Sequence, residues 1–151
     1  MTELASDREV LRRKMLRAMK EKGLSFKNLA AEIGLSPFIV TAALLGQMSL
    51  PKGAAAKAAA ALGIQEAEDF LTEIPLRGSL SQAVPTDPLI YRFYEIVQVY
   101  GTTLKALIEE EFGDGIMSAI DFDMTMERQP DPKGDRVRIA MTGKFLPYKR
   151  Y

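Results

Sequence analysis

From Asp7 to Leu71 apolar residues recur at intervals of three and four, and glycines interrupt them at Gly23, Gly34 and Gly46. Such spacing lines one side of a 3.6-residue turn, so this stretch is restricted to a bundle of short helices. The first helix is predicted over Asp7 to Lys22, with Val10, Leu11, Met15, Leu16 and Met19 inward, and Gly23 stops it. Ser25 is placed to cap a second helix that turns Phe26, Leu29, Ala30 and Ile33 to one face. Gly34 ends it. Ser36-Pro37 opens a third, with proline at the favoured first position, and Gly46 closes it. Pro51 to Leu62 is a fourth, alanine-rich and able to pack closely, and Glu66 to Leu71 begins a fifth. An all-helical bundle domain over residues 1–74 is the expectation.

The pattern then changes. A linker over residues 75–88 holds Gly78, Pro85 and Pro88. Leu89 to Tyr100 reads as a helix, Gly101 as its break, and Thr102 as the cap of another helix over Thr103 to Phe112. After a Gly113-Asp114-Gly115 turn, Met117 to Met126 and Arg136 to Thr142 read as strands, joined by the turn Pro130 to Gly134. The fold class is therefore α+β: a helical bundle followed by a two-helix plus β-hairpin domain over residues 89–151. An isolated hairpin is marginal in water. This second domain is expected to be completed by another subunit.

Composition removes many chemistries. The 151 residues include no cysteine and no histidine. Thiolate nucleophiles, disulfides, imidazole bases and His- or Cys-ligated metals are thereby excluded. A carboxylate-only hard-cation site would remain, but no EF-hand-like acidic cluster appears. Twenty basic and twenty acidic residues give no net charge, hence no long-range pull toward nucleic acid or an anionic membrane. No apolar run approaches a membrane span, and Met1 to Lys22 lacks the apolar core of a signal peptide. A cytoplasmic protein is expected.

The second and third helices have the outline of a helix-turn-helix, as in repressors. A recognition helix must offer charged or amide side chains to base edges. Ser36 to Leu45 offers none, and no charged residue lies between Ile33 and Pro51. A DNA-binding regulator is thus the competing reading, and a bundle used for packing is preferred.

Arg92 and Glu95 are the only charged residues between Asp87 and Lys105, in a segment that is apolar nearly all round. A helix of that kind is expected to be buried. At i and i+3 the two side chains can touch. An ordinary surface ion pair would need a polar face around it, and Tyr94 and Gln98 supply only a weak one. Ser118 stands just past the glycine turn, at the start of a strand. Such a serine is commonly just a strand-end residue. With no histidine to activate it, its functional reading is as a hydrogen-bond donor rather than a nucleophile.

The strings Ile74-Pro75-Leu76-Arg77-Gly78, Pro85-Thr86-Asp87-Pro88, Tyr91-Arg92-Phe93-Tyr94-Glu95, Gln98 to Leu107 and Phe112 to Ile120 resemble the cyanase family. So do Val40 to Gln47 and Gly143-Lys144-Phe145-Leu146-Pro147. The resemblance spans nearly the whole chain, is densest from Ile74 to Phe122, and is weak over the first twenty residues. Ser79 stands where some family members carry a cysteine, so no thiol role carries over. The resemblance implies bicarbonate-dependent breakdown of cyanate to ammonia and carbon dioxide. It implies Arg92, Glu95 and Ser118 as catalytic residues, no metal and no cofactor, with bicarbonate as co-substrate. It implies a homodecamer, a pentamer of dimers, whose C-terminal domains interlace with those of a partner subunit and whose sites lie between subunits. On charge balance and the uncharged third helix, neither nucleic acid nor membrane is expected as partner. A non-catalytic oligomeric descendant is a further reading, and the presence of all three residues argues against it.

Overall fold

The computed structural model describes residues 2–75, 77–78 and 83–150. Leu76 and residues 79–82, which belong to the expected linker and include Ser79, lie outside the described residues. The chain divides into two compact units, Met1–Ser79 and Leu80–Tyr151.

Among the described residues the first unit holds five helices: α1 Thr2–Glu21, α2 Phe26–Ile33, α3 Pro37–Leu44, α4 Lys52–Leu62 and α5 Ala67–Thr72. Local chemistry sets their ends. The Ser25 hydroxyl accepts from the Asn28 N–H at 3.0 Å, and Ser36 does the same for Phe38 at 3.3 Å. Gly34 takes φ 84°, a left-handed conformation that ends α2 at no steric cost. The core gathers Met15 and Met19 of α1, Leu29, Ala30 and Ile33 of α2, Val40, Ala43 and Leu44 of α3, and the alanine face of α4. Ala55 and Ala58 of that face are fully buried. Two expected core residues are not in it. Val10 and Phe26 are exposed: Val10 lies well round the helix from Met15 and Met19, and Phe26 is the first residue of α2. α3 is not buried all round either. Val40, Ala43 and Leu44 face inward, whereas Phe38 and Leu45, seven residues apart on the other side, are exposed. That outward face carries no charged or amide side chain.

Among the described residues the second unit contains one helix, α6 Pro88–Phe112, and two strands, β1 Gly115–Gln129 and β2 Arg136–Pro147. The expected break at Gly101 does not occur. Glycine inside a helix costs only about 1 kcal/mol relative to alanine, and eleven or more helical residues on each side outweigh it. The Asp87 carboxylate caps α6, accepting from the N–H groups of Leu89 and Ile90 at 2.9 Å each. The strands are longer than expected and pair antiparallel from Gly115↔Pro147 to Gln129↔Arg136. In the turn between them the Asp131 carboxylate accepts from the Lys133 N–H at 2.8 Å.

No residue of α6 is buried in the chain, contrary to the burial its composition suggests. Leu89 is 70% exposed, Val137 73% and Ile120 83%. Periodicity reports that a face must be covered but not which chain covers it. Among the described residues no helix is long and apolar enough to cross a membrane.

Candidate active site

Arg92 lies in the second turn of α6, and its Nη1 donates to Glu95 Oε2 at 2.8 Å. The pair forms as the i, i+3 spacing requires. Its side chains are 61% and 49% exposed within the chain, so the pair is not buried by its own subunit. An exposed pair of this kind contributes at most about 1 kcal/mol. The guanidinium carbon also lies 5.8 Å from the centre of the Tyr91 ring, which itself leans toward Tyr94. One N–H of the guanidinium is engaged with Glu95, which leaves most of the planar fork to meet an anion.

Ser118 is the one buried polar residue among those described, at 8% exposure. It occupies the point where the hairpin loses its regular ladder. Met117 pairs with Phe145 and Phe122 with Gly143, so Ser118 to Asp121 stand opposite Lys144 alone. Within this bulge the Ser118 hydroxyl oxygen accepts from the N–H groups of Ile120 at 3.0 Å and Asp121 at 2.9 Å. A hydroxyl has two lone pairs and one proton. With both lone pairs directed to backbone N–H groups, the oxygen is a poor nucleophile and its proton is left to donate. The sequence did not reveal the bulge. Its signal was Gly143, a glycine inside a strand pattern.

One chain does not bring the three residues together. Arg92 and Phe112 stand twenty residues apart on α6, or about 30 Å at 1.5 Å per residue. Phe112 stacks on Phe145 at 5.1 Å, and the Tyr148 N–H donates to the Asp114 carbonyl at 3.1 Å. These contacts tie the start of β1, and Ser118 with it, to the end of α6 remote from Arg92. Among the described residues no group of three or more Asp or Glu side chains stands where it could hold a metal ion.

Residues 8–75 match the family described as cyanate hydratase, N-terminal, and residues 82–150 match the cyanate lyase C-terminal domain. The cyanate hydratase of Ralstonia pickettii is 64% identical over 131 residues, which covers 86% of this chain and 89% of that protein. The cyanate hydratase of Cupriavidus necator is 55% identical over 138 residues, or 91% of this chain and 94% of its own length. A crystal structure of cyanase from T. urticae is 40% identical and superposes with a TM-score of 0.79, covering 91% of this chain and 96% of that one. Both halves of the sequence and the fold agree, and the chain belongs to the cyanate lyase family.

Proposed function

We propose that this protein is a cyanate lyase that decomposes cyanate with bicarbonate to ammonia and carbon dioxide, using Arg92, Glu95 and Ser118. The observation that carries the reading is the family match along both units, with cyanate hydratases up to 64% identical. Cyanate and bicarbonate are both monoanions. Two unit charges 4 Å apart repel by about 4 kcal/mol at an effective dielectric of about 20, so a fixed cation is needed. Arg92 is charged at all working pH values and its fork suits carboxylate-like anions. Glu95 repels an anion and so acts on the guanidinium, holding it through the hydrogen bond at 2.8 Å. A protonated Glu95 acting as proton donor is the competing role. Ser118 donates its proton to a substrate oxygen or nitrogen.

A bicarbonate oxygen attacks the cyanate carbon while the cyanate nitrogen takes a proton. The mixed anhydride loses carbon dioxide and leaves carbamate. Protonated carbamate then splits into ammonia and a second carbon dioxide. The protein's share is proximity and charge stabilisation, with no covalent intermediate.

The arrangement requires several copies of the chain. The distance along α6 supports a site in which Arg92 and Glu95 of one subunit meet Ser118 of another. The uncovered apolar surface of the second unit supports interlaced dimers and their assembly into a decamer. Ammonia release from cyanate, measured with and without bicarbonate and in the presence of EDTA, tests the function. Bicarbonate-dependent, EDTA-insensitive release is expected. Loss of activity on chelation, restored by added zinc or manganese, would refute the mechanism.

A further inference from the structure

We infer that Gly143 is a positioning residue for Ser118: its missing side chain is the space into which the bulge folds. The inference rests on the catalytic role given to Ser118 above.

Gly143 does not have a positive φ, so its backbone is one that any residue could adopt. Space is therefore the reason for glycine here. A Cβ at this position would stand 2.3 Å from the Ser118 carbonyl oxygen and 2.6 Å from Met117 Cγ. Ordinary contact begins at 3.4 Å. The Met117 side chain can rotate away, but the carbonyl belongs to the backbone of the bulge itself. Placing a methyl group at 143 must displace Ser118 by about 1 Å or open the bulge.

The consequence for the hydroxyl follows from its partners. In a regular ladder the N–H groups two and three residues ahead point along the sheet, not back at a serine oxygen. Here the chain turns so that Ile120 and Asp121 both donate to Ser118 Oγ, an arrangement of the kind that caps helices. Those two bonds fix the oxygen and thereby the direction in which the proton points. Moving the Ser118 backbone while β2 stays in register misaims that proton. A displacement of 1 Å at a reacting group costs on the order of 100-fold in rate.

The test compares Gly143→Ala, Ser118→Ala and the double variant in the assembled protein, by cyanate turnover, with mass and circular dichroism alongside. Gly143→Ala is expected to assemble normally and to lose on the order of 100-fold in kcat. It should reproduce the division between kcat and KM seen in Ser118→Ala. In the Ser118→Ala background it should cost little more, because the group it positions is already gone. Near-normal turnover in Gly143→Ala, an equal loss in both backgrounds, or a different division between kcat and KM would overturn the inference. If Ser118→Ala itself turns over normally, the role of the serine fails and the inference with it; an impaired Ser118→Ala beside a normal Gly143→Ala refutes the inference alone. Should Gly143→Ala not assemble, the comparison is repeated with Met117→Ala added, which removes the side-chain collision and keeps the one with the carbonyl. If that protein also fails to assemble, the glycine serves the fold and not the serine, and the inference is wrong.

Discussion

Among the described residues, seventeen hydrophobic side chains are buried in the first unit, and every one of them lies between Met15 and Leu71. In the second unit no described hydrophobic residue is buried, although α6 and the hairpin carry many large apolar side chains. The first unit is closed by contacts among α1 to α5. The second is a long helix and a two-stranded ribbon, neither of which buries a hydrophobic face among the described residues, and exposed apolar surface of this extent marks an interaction site. The residues assigned to chemistry all lie in this open unit. If the site is shared between subunits as proposed, folding of the first unit and completion of the site are separate events, and the second waits on assembly.

The comparison is most severely tested by dilution. Dissociation of the oligomer is expected to abolish turnover and to leave the amides of α6, β1 and β2 exchanging freely. The amides of α2 to α4 should stay protected, since their stability is internal. Light scattering reports mass, hydrogen exchange reports protection, and ammonia release reports activity on the same samples. A monomer with full activity would remove the distinction between the two units.

Paired truncations sharpen it. Leu44→Ala empties a fully buried site and is expected to cost about 2–5 kcal/mol in unfolding free energy. Leu89→Ala, at a position largely exposed in the chain, should leave the stability of the first unit unchanged and shift the association equilibrium instead. Denaturant melts followed at several protein concentrations separate the two. Equal, concentration-independent losses would mean that the second unit holds itself together.

The site variants should move turnover without moving the melting of the first unit. Arg92→Lys keeps the charge and loses the planar fork, and is expected to lose most activity while remaining folded and assembled. Glu95→Gln should be impaired, because a neutral amide holds a guanidinium more weakly than a carboxylate does. Ser118→Ala should raise the barrier by about 2–4 kcal/mol. The three losses should not add in the triple variant, since the groups act as one unit. Near-normal kinetics in Arg92→Lys would show that the anion site lies elsewhere.

What the sequence disclosed follows the same division. In the first unit the helix ends were legible because short-range chemistry sets them: Ser25, Gly34 and Ser36-Pro37 each act within a few residues of themselves. The Arg92–Glu95 contact was legible for the same reason, as a consequence of helical spacing. The exposure of the pair and of α6 was not, because periodicity marks an apolar face without saying whether the chain itself covers it. The setting of Ser118 was hidden for another reason. The bulge depends on Gly143, twenty-five residues further along, and pairing at that separation leaves no local pattern.

Gly101 offers the smallest effect and the one that bears most directly on how the open unit holds its shape. Among the described residues none of α6 is buried, so little packing within the chain holds it helical and its own residues must favour the helix if it is to form alone. Gly101 lies mid-helix, its φ is not positive, and a Cβ there would meet only Val97 Cγ1 at 3.7 Å, an ordinary contact. Alanine fits that backbone without strain and restricts the unfolded chain, so Gly101→Ala is expected to favour the helix by about 1 kcal/mol. The measurement is the ellipticity at 222 nm of a peptide spanning residues 88–112, with glycine and with alanine. Higher helicity in the alanine peptide is the expected result. It would mean that α6 is helical by local preference, continuous through the glycine, before any partner covers it. Two peptides with equally low helicity would mean that the helix is imposed by assembly, making the second unit dependent on other chains for its secondary structure as well as for its core.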